Sequence, residues 1–228
     1  MRLRTCSTTV VAVQSYPLLN VSVSTPSVRL RAATDDLLDE LAPLVREGKA
    51  DADPPPYDDP ISLYEADPEL RVQKWLRSIW RGRSRVEPDF WRLYFVVMID
   101  GRPVGMQDLV GHRFAAHGTI TTFSWLSSGL RGRGIGREMR GAILHLAFDG
   151  LGAKEAGSDA FVDNAGSNGI SRALGYEENG TTWDTRRGVS APLQCWKLTR
   201  EAWQRRRRDD IVLDGIAGCR DALASSSS

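Results

Sequence analysis

The chain has 228 residues with a formal net charge of +1, and 41% of its residues are hydrophobic and 26% charged, which is ordinary for one globular domain. The small net charge argues against an obligate nucleic-acid binder, and three widely spaced cysteines (Cys6, Cys195 and Cys219) argue against a disulfide framework or a zinc site. No apolar run reaches the length of a membrane span, so we expect a cytoplasmic protein with neither membrane nor nucleic acid as partner.

The first half of the chain predicts short strands and two helices. Residues 1–20 are expected to form a disordered extension, because their apolar run is short and is interrupted by Gln14. The elements expected next are a strand within Val21 to Ala32, a helix from Thr34 to Gly48, a helix from Glu69 to Arg85, and a hairpin of Phe90 to Ile99 and Arg102 to Val110.

A strand, a glycine-rich turn and a helix follow in the middle of the chain. Ile120 to Leu126 is rich in β-branched and aromatic residues, which favours a buried strand. From Ile135 onward apolar residues recur at helical spacing, which predicts a helix with one buried face, and we expect Arg137, Glu138 and Arg140 to face outward. The turn between them, Arg131 to Gly136, contains three glycines.

This turn has the properties of a phosphate site. Glycines let a ligand approach the backbone, and the first N–H groups of a helix lack partners and lie at the positive end of its dipole. A P-loop requires Gly-Lys-Ser/Thr, whereas Gly136 is followed by Arg137 and Glu138. A dinucleotide fingerprint requires its third glycine three residues after the second, whereas here the interval is two.

Two blocks together resemble the GCN5-related N-acetyltransferase (GNAT) superfamily. Arg131, Gly134 and Gly136 match its Arg/Gln-x-x-Gly-x-Gly/Ala coenzyme A loop, and Asn164 to Tyr176 resembles its segment of Asn, short helix and Leu-Gly-aromatic. The resemblance is closest to the branch of ribosomal-protein N-terminal acetyltransferases, the RimJ/RimL type. Ser124-Trp125-Leu126 and the Asn164-x-x-Ser167 pattern are also similar to that branch.

The resemblance implies an α/β (α+β) fold in one acyltransferase domain, residues 21–223, followed by a disordered serine tail, residues 224–228. Its mixed, mostly antiparallel sheet would have six to seven strands and about four flanking helices. The sheet would be splayed between the fourth strand, Ile120 to Leu126, and the fifth, Ala156 to Phe161. The last elements expected are a strand pair, Thr181 to Arg187 and Leu193 to Leu198, and a helix capped by Thr199.

The resemblance also implies a site for acetyl-CoA, or another short acyl-CoA, in the split, with no metal. The coenzyme-binding residues that it implies are Trp125, Leu126, Arg131, Gly132, Arg133, Gly134, Ile135, Gly136, Arg137, Asn164 and Ser167. The backbone N–H near Leu126 would face the thioester carbonyl as an oxyanion donor. Alternative roles for Asn164 and Ser167 are turn formation and helix capping.

Proton transfers are less well determined by the sequence. Many relatives place a Tyr at the position of Ser171, where it protonates the departing sulfur; Ser171 would donate weakly or through water, or make an ordinary helix contact. The strand Ile120 to Leu126 contains no acidic residue. The general base is therefore left unassigned, with Asp108 and Asp159 as the carboxylates within possible reach.

The leading hypothesis is an acyl-CoA-dependent N-acyltransferase that acts by direct attack in a ternary complex. Its acceptor would be a protein N-terminus, a lysine or a small-molecule amine, and a homodimer is possible by analogy. The acidic, proline-rich segment Ala50 to Pro60 either recruits a cationic amine or forms a solvated loop. An inactive acyl-CoA-binding sensor of the same fold is the alternative, while binding of DNA through the arginine clusters is not expected.

Overall fold

The computed structural model describes residues 15–48, 53–57, 62–87 and 89–225. The strands in these ranges are β1 (Ser22–Ser24), β2 (Arg29–Ala32), β3 (Val86–Glu87), β4 (Phe90–Ile99), β5 (Arg102–His112), β6 (Thr119–Leu126), β7 (Glu155–Phe161), β8 (Glu177–Arg186), β9 (Val189–Thr199) and β10 (Val212–Asp214). The α-helices are α1 (Asp35–Glu47), α2 (Pro68–Ser84), α3 (Phe114–His117), α4 (Ile135–His145), α5 (Ala165–Leu174), α6 (Arg200–Gln204) and α7 (Ile216–Ser225).

The strands form a single sheet in the order β10-β1-β2-β4-β5-β6-β7-β9-β8, and β3 pairs with β4. All neighbouring strands are antiparallel except β6 and β7, which are parallel and share only three residue pairs, the last of them Thr121 with Gly157. The expected mostly antiparallel sheet, splayed between the fourth and fifth predicted strands, is confirmed.

The expected number of strands was too small. The described residues contain ten, because a strand as short as β3 carries too few residues to produce an alternating pattern, whereas the possible short strand at Ile211 to Leu213 is present as β10. The expected first strand is also interrupted by a turn, in which the Thr25 hydroxyl accepts a hydrogen bond from the N–H of Val28 at 3.0 Å.

Two apolar layers cover the two faces of the sheet. On one face α4 packs with β6 and β7, bringing Ile143 together with Ile120 and Ala156. On the other face α1 and α2 pack with the sheet, bringing Leu38 and Trp75 into the second layer. Full burial of each such side chain is worth about 1.5–3 kcal/mol, so both layers contribute to stability and fix the helices on opposite faces.

The two ends of the chain contain more structure than expected. Pro17–Asn20 forms a 3-10 turn with Leu18 buried, so the predicted boundary at residue 20 falls within an ordered segment. α7 follows β10, and its Cys219 is fully buried. Residues 1–14 and 226–228 lie outside the described residues, as do Asp51, Asp58 and Asp59 of the acidic segment. No helix in the described part of the chain has both the length and the apolar character needed to cross a bilayer.

Candidate active site

A cleft of about 830 Å³ opens where β6 and β7 separate. Beyond the pair of Thr121 and Gly157 the two strands share no further pairing. The strand residues Thr122 to Leu126 and Ser158 to Phe161 form its walls, together with the turn before α4 and the start of α5. The splay predicted from the family resemblance is therefore a cavity bordered by backbone edges and helix N-termini.

The cleft connects the two faces of the sheet. Because Thr121 and Gly157 are direct partners, Phe123 and Asp159, two residues further along, belong to the same face. This is the face covered by α1 and α2, since Phe123 packs against their apolar layer. Thr122 and Ser158 belong to the face of α4. A molecule bound beside α4 can therefore meet a second molecule that enters from the face of α1 and α2.

The N-terminus of α4 opens into the cleft and is suited to an anion. Gly134 is its N-cap residue in a left-handed conformation (φ +80°), and no side chain caps this end. The N–H groups at the start of the helix have no acceptor within it, and the dipole makes them positive. Arg131 and Arg137 line the same part of the cleft. This combination fits a diphosphate.

The N-terminus of α5 borders the cleft on its other side. The Asn164 side chain caps this helix by accepting a hydrogen bond from the N–H of Ser167 at 3.1 Å. Its amide donates to the carbonyl oxygen of Pro56 at 3.1 Å. Pro56 and Tyr57, which come from the segment between α1 and α2, also line the cleft. Asn164 therefore connects the two elements that border the opening.

Arg140 on α4 lines the cleft although its side chain is buried, with 6% of the residue exposed. Its guanidinium donates to the hydroxyls of Ser171 (Nη1, 3.0 Å) and Ser167 (Nη2, 3.3 Å), and its Nε has no acceptor among the described residues. Burial lowers the pKa of Arg140, while the nearby Tyr176 and Asp159 raise it. Burial raises the pKa of Tyr176 to about 12, with Arg140 opposing the rise.

Two carboxylates lie in the part of the cleft opposite α4. Asp159 and Asp184 both line it, together with the aromatic rings of Tyr57 and Phe123, whose centroids are 5.3 Å apart. Partial loss of hydration raises the pKa of Asp159, Asp184 raises it further, and Arg140 acts in the opposite direction. A carboxylate with a raised pKa beside aromatic rings can bind a cationic amine and accept its proton.

Asp108, the other carboxylate considered as a base, is engaged elsewhere. It is 2% exposed and pairs with Arg92, whose Nη2 lies 2.5 Å and whose Nε lies 3.0 Å from Asp108 Oδ2. Asp108 is not among the residues that line the cleft. The structure therefore brings Asp159, and not Asp108, into the cleft.

The family follows from a match to a known domain model. Residues 28–177 match the model described as an acetyltransferase (GNAT) domain, which spans well over half of the chain. The chain belongs to the GNAT acetyltransferase family. Acetyl-CoA is the acyl donor in this family, and no group of three or more His, Cys, Asp or Glu side chains in the described ranges could hold a metal ion.

Solved structures share the GNAT fold at low sequence identity. RimJ of Mycobacterium smegmatis in complex with a CoA-disulfide has a TM-score of 0.66 at 18% identity, over 81% of this chain and 90% of that one. RimL, a ribosomal L7/L12 α-N-protein acetyltransferase in complex with coenzyme A, has a TM-score of 0.63 at 18% identity, and the match covers 78% of this chain and 97% of RimL. A spermidine N-acetyltransferase chimera of Vibrio cholerae SpeG and hSSAT has a TM-score of 0.60 at 15% identity, and the match covers 78% of this chain and 98% of the chimera.

Most of the coenzyme residues expected from the GNAT resemblance meet in the cleft. Those that line it are Trp125, Leu126, Arg131, Gly132, Gly134, Gly136, Arg137, Asn164 and Ser167. Arg133 is exposed outside the cleft, and Ile135 is partly buried against the core below it.

Two expectations about the GNAT site differ from the structure. Ser171 is fully buried beneath the cleft and does not line it, because its hydroxyl is held by Arg140 and donates to the Ser167 carbonyl oxygen at 3.3 Å. Arg140, expected to face outward, instead faces α5. It lies one helical turn after Gly136 and one turn before Leu144, so the 3.6-residue period already placed it on the buried face.

Proposed function

We propose that this GNAT chain transfers a short acyl group, acetyl in the simplest case, from coenzyme A to a primary amine. The observation that carries the proposal is the connection of two differently charged sites through one cleft. An anion site at α4 lies on one face of the sheet, and the carboxylates Asp159 and Asp184 lie on the other. Such a cleft suits an anionic donor and a cationic acceptor that meet in the split.

The donor would bind along the face of α4. Its diphosphate would accept hydrogen bonds from the backbone N–H groups at Gly134 and Gly136, with Arg131 and Arg137 supplying positive charge. Its pantetheine amides would extend β6 by β-type hydrogen bonds on the side of the cleft, and the N–H at Leu126 would donate a hydrogen bond to the developing oxyanion. An oriented donor of this kind is worth about 3–4 kcal/mol in the transition state.

The acceptor would enter from the opposite face, beside Tyr57 and Phe123. The two carboxylates favour an amine that arrives protonated, and Asp159, whose pKa is raised, is the proposed base. Its raised pKa suits this role because a base works best when its pKa approaches the working pH. An α-amino group (pKa about 8) needs less assistance from a base in losing its proton near neutral pH than a lysine side chain (pKa about 10.4).

Atoms and charges balance in a direct transfer. The amine loses its ammonium proton to the Asp159 carboxylate, and its nitrogen lone pair attacks the thioester carbon. The carbonyl oxygen becomes negative beside the Leu126 N–H, and the C–S bond then breaks with both electrons passing to sulfur. The nitrogen, positively charged after its attack, loses a second proton to solvent as the intermediate collapses, and the thiolate takes up a proton from solvent. The products are a neutral amide and coenzyme A, and solvent removes the first proton from Asp159.

The second part of the proposal concerns the chemical class of the amine that accepts the acyl group. Among the proteins with similar folds, RimL acts on a ribosomal protein N-terminus, and the chimera is a spermidine acetyltransferase. A protein N-terminus, a lysine and a small amine therefore belong in one test panel, and the carboxylates favour the more cationic members.

Release of free thiol from acetyl-CoA, measured with this panel, tests the proposal. Turnover with at least one amine is expected, and Asp159→Asn should lower kcat/KM about 10²–10⁴-fold without weakening coenzyme binding. Asp163→Asn is the matched control, since Asp163 is paired with Arg186 outside the cleft. Tight coenzyme binding without turnover on a broad panel would instead support an inactive acyl-CoA-binding module.

A further inference from the structure

The buried guanidinium of Arg140 lacks a carboxylate partner. Among the described residues no acidic oxygen lies within ion-pair distance of it, and its hydrogen bonds go to two neutral hydroxyls. Its Nε has no acceptor, although the residue is 6% exposed. A buried cation is unfavourable unless an anion compensates it, and Arg140 lines the cleft from which such an anion could come.

The position of Arg140 identifies which part of the cleft the anion would occupy. The residue lies four positions, or about 6 Å along the helix axis, beyond Gly136 at the proposed diphosphate site. It extends to Ser167 and Ser171 of α5. Across the split it is close enough to Asp159 for the two charges to influence one another. Arg140 therefore lies between the diphosphate site and the acceptor carboxylate.

We propose that Arg140 contacts the sulfur of the donor and stabilises the thiolate that leaves. This inference rests on the proposed acyltransfer, because negative charge passes to sulfur when the C–S bond breaks. Arg140 remains protonated throughout and gives up no proton; it compensates the charge until solvent protonates the thiolate. A fixed donor in an enclosed site stabilises such developing charge without reorganisation.

The hydroxyls on α5 fit this role as supports for the guanidinium. Ser171 accepts from Nη1 and donates to the Ser167 carbonyl oxygen, which fixes one edge of the group. Ser167 accepts from Nη2 at the wall of the cleft. Ser171 is then a positioning residue.

The ionisation of the bound coenzyme thiol tests this directly. Reduced coenzyme A is bound to the intact protein, the pH is varied, and its alkylation by iodoacetamide is quantified by mass spectrometry of the coenzyme adduct. A nearby cation should make the bound thiol more acidic than that of free coenzyme A. Its acid dissociation constant should therefore be at least about tenfold higher, and its pKa correspondingly lower. Arg140→Gln should abolish this increase and lower kcat about 10²–10³-fold, and Arg140→Lys should retain most of the increase.

Arg137→Gln is the matched control, because Arg137 is an exposed arginine at the proposed diphosphate end of the same helix. It should weaken coenzyme affinity and leave the thiol dissociation constant unchanged. The inference is overturned if the bound thiol of the unaltered protein ionises like free coenzyme A, a measurement that requires no variant to fold.

The inference is also overturned if Arg140→Gln leaves thiol ionisation unchanged and only displaces the acidic limb of the pH profile, since Arg140 would then act through Asp159. Tyr176 is the other titrating group near the guanidinium, and Tyr176→Phe should leave the thiol dissociation constant raised. If the unaltered protein binds no coenzyme, the proposed function itself has failed.

Discussion

The side-chain amide of Asn164 donates a hydrogen bond to the carbonyl oxygen of Pro56, 108 residues earlier in the chain, at 3.1 Å. The other end of the same side chain accepts from Ser167 N–H and caps α5. One residue thus stabilises a helix that borders the proposed coenzyme site and holds a segment that borders the proposed acceptor site. These two effects can be separated by substitution.

Asn164→Ala should lower the free energy of unfolding by about 1 kcal/mol, because the cap is lost. Asn164→Asp keeps an acceptor for the N–H of Ser167 and therefore retains the cap, although it has no amide to donate to Pro56, so it should lose less stability than Asn164→Ala. Urea denaturation measures both values. Both variants should raise the KM of the amine, and a normal KM in Asn164→Asp would contradict the proposed role of the Pro56 contact.

Gly134→Asp should weaken coenzyme A binding at least about tenfold, because it places a carboxylate beside the proposed diphosphate site. Gly152 is a matched control: both glycines have φ of +80° and no atom within 4 Å of an added Cβ, and Gly152 lies outside the cleft. Each substitution should cost about 1 kcal/mol of backbone strain. Calorimetry should detect weakened binding in the Gly134 variant alone, and equal affinities would exclude the proposed diphosphate site.

Asp184→Asn should shift the acidic limb of the kcat/KM profile to lower pH. Asp184 raises the pKa of Asp159, and a carboxylate base acts only above its pKa. Removing the negative neighbour therefore lowers that pKa, and activity persists further into the acid range. The shift should diminish at high ionic strength because both groups contact solvent. An acidic limb at the same pH in both proteins would show that Asp159 is not the titrating base.

Arg92→Leu should lower the free energy of unfolding by about 3–5 kcal/mol, because it leaves the buried Asp108 carboxylate without its partner. The double variant Arg92→Leu/Asp108→Leu should recover much of this loss. Burial raises the pKa of Asp108, and loss of Arg92 would raise it further. Folded Arg92→Leu therefore binds a proton more tightly than its unfolded chain, so its stability should increase as the pH falls through that raised pKa and decrease as the pH rises. Urea titrations at several pH values measure this dependence.

The elements next to strong local patterns were predicted well. Thr34 precedes α1 as the N-cap residue, Asp100 and Gly101 form the turn of the hairpin with positive φ, and the Thr199 hydroxyl caps α6. These features depend on a few adjacent residues, which the sequence displays directly. The two-residue strand β3 depends on its pairing with β4, and no local pattern specifies it.

In the candidate site, too, the features that depend on adjacent residues were predicted from the sequence, and those that depend on distant residues were not. The turn before α4 was recognised from six consecutive residues, and its three glycines and one of its two arginines line the cleft. The choice between Asp108 and Asp159 required three-dimensional information, because it depends on Arg92 in a neighbouring strand. Arg140 was predicted to face outward together with Arg137 and Glu138, although its position one turn after Gly136 and one turn before Leu144 favours the buried face.

The split divides the sheet into two parts, and only the three residue pairs between β6 and β7 join the strands on the β10 side to those on the β8 side. A small change in the angle between these halves would therefore break few bonds and would alter the width of the gap between them. Amide hydrogen exchange at Thr121 and Gly157, measured with and without coenzyme, would show whether a bound donor protects the hydrogen bonds between β6 and β7.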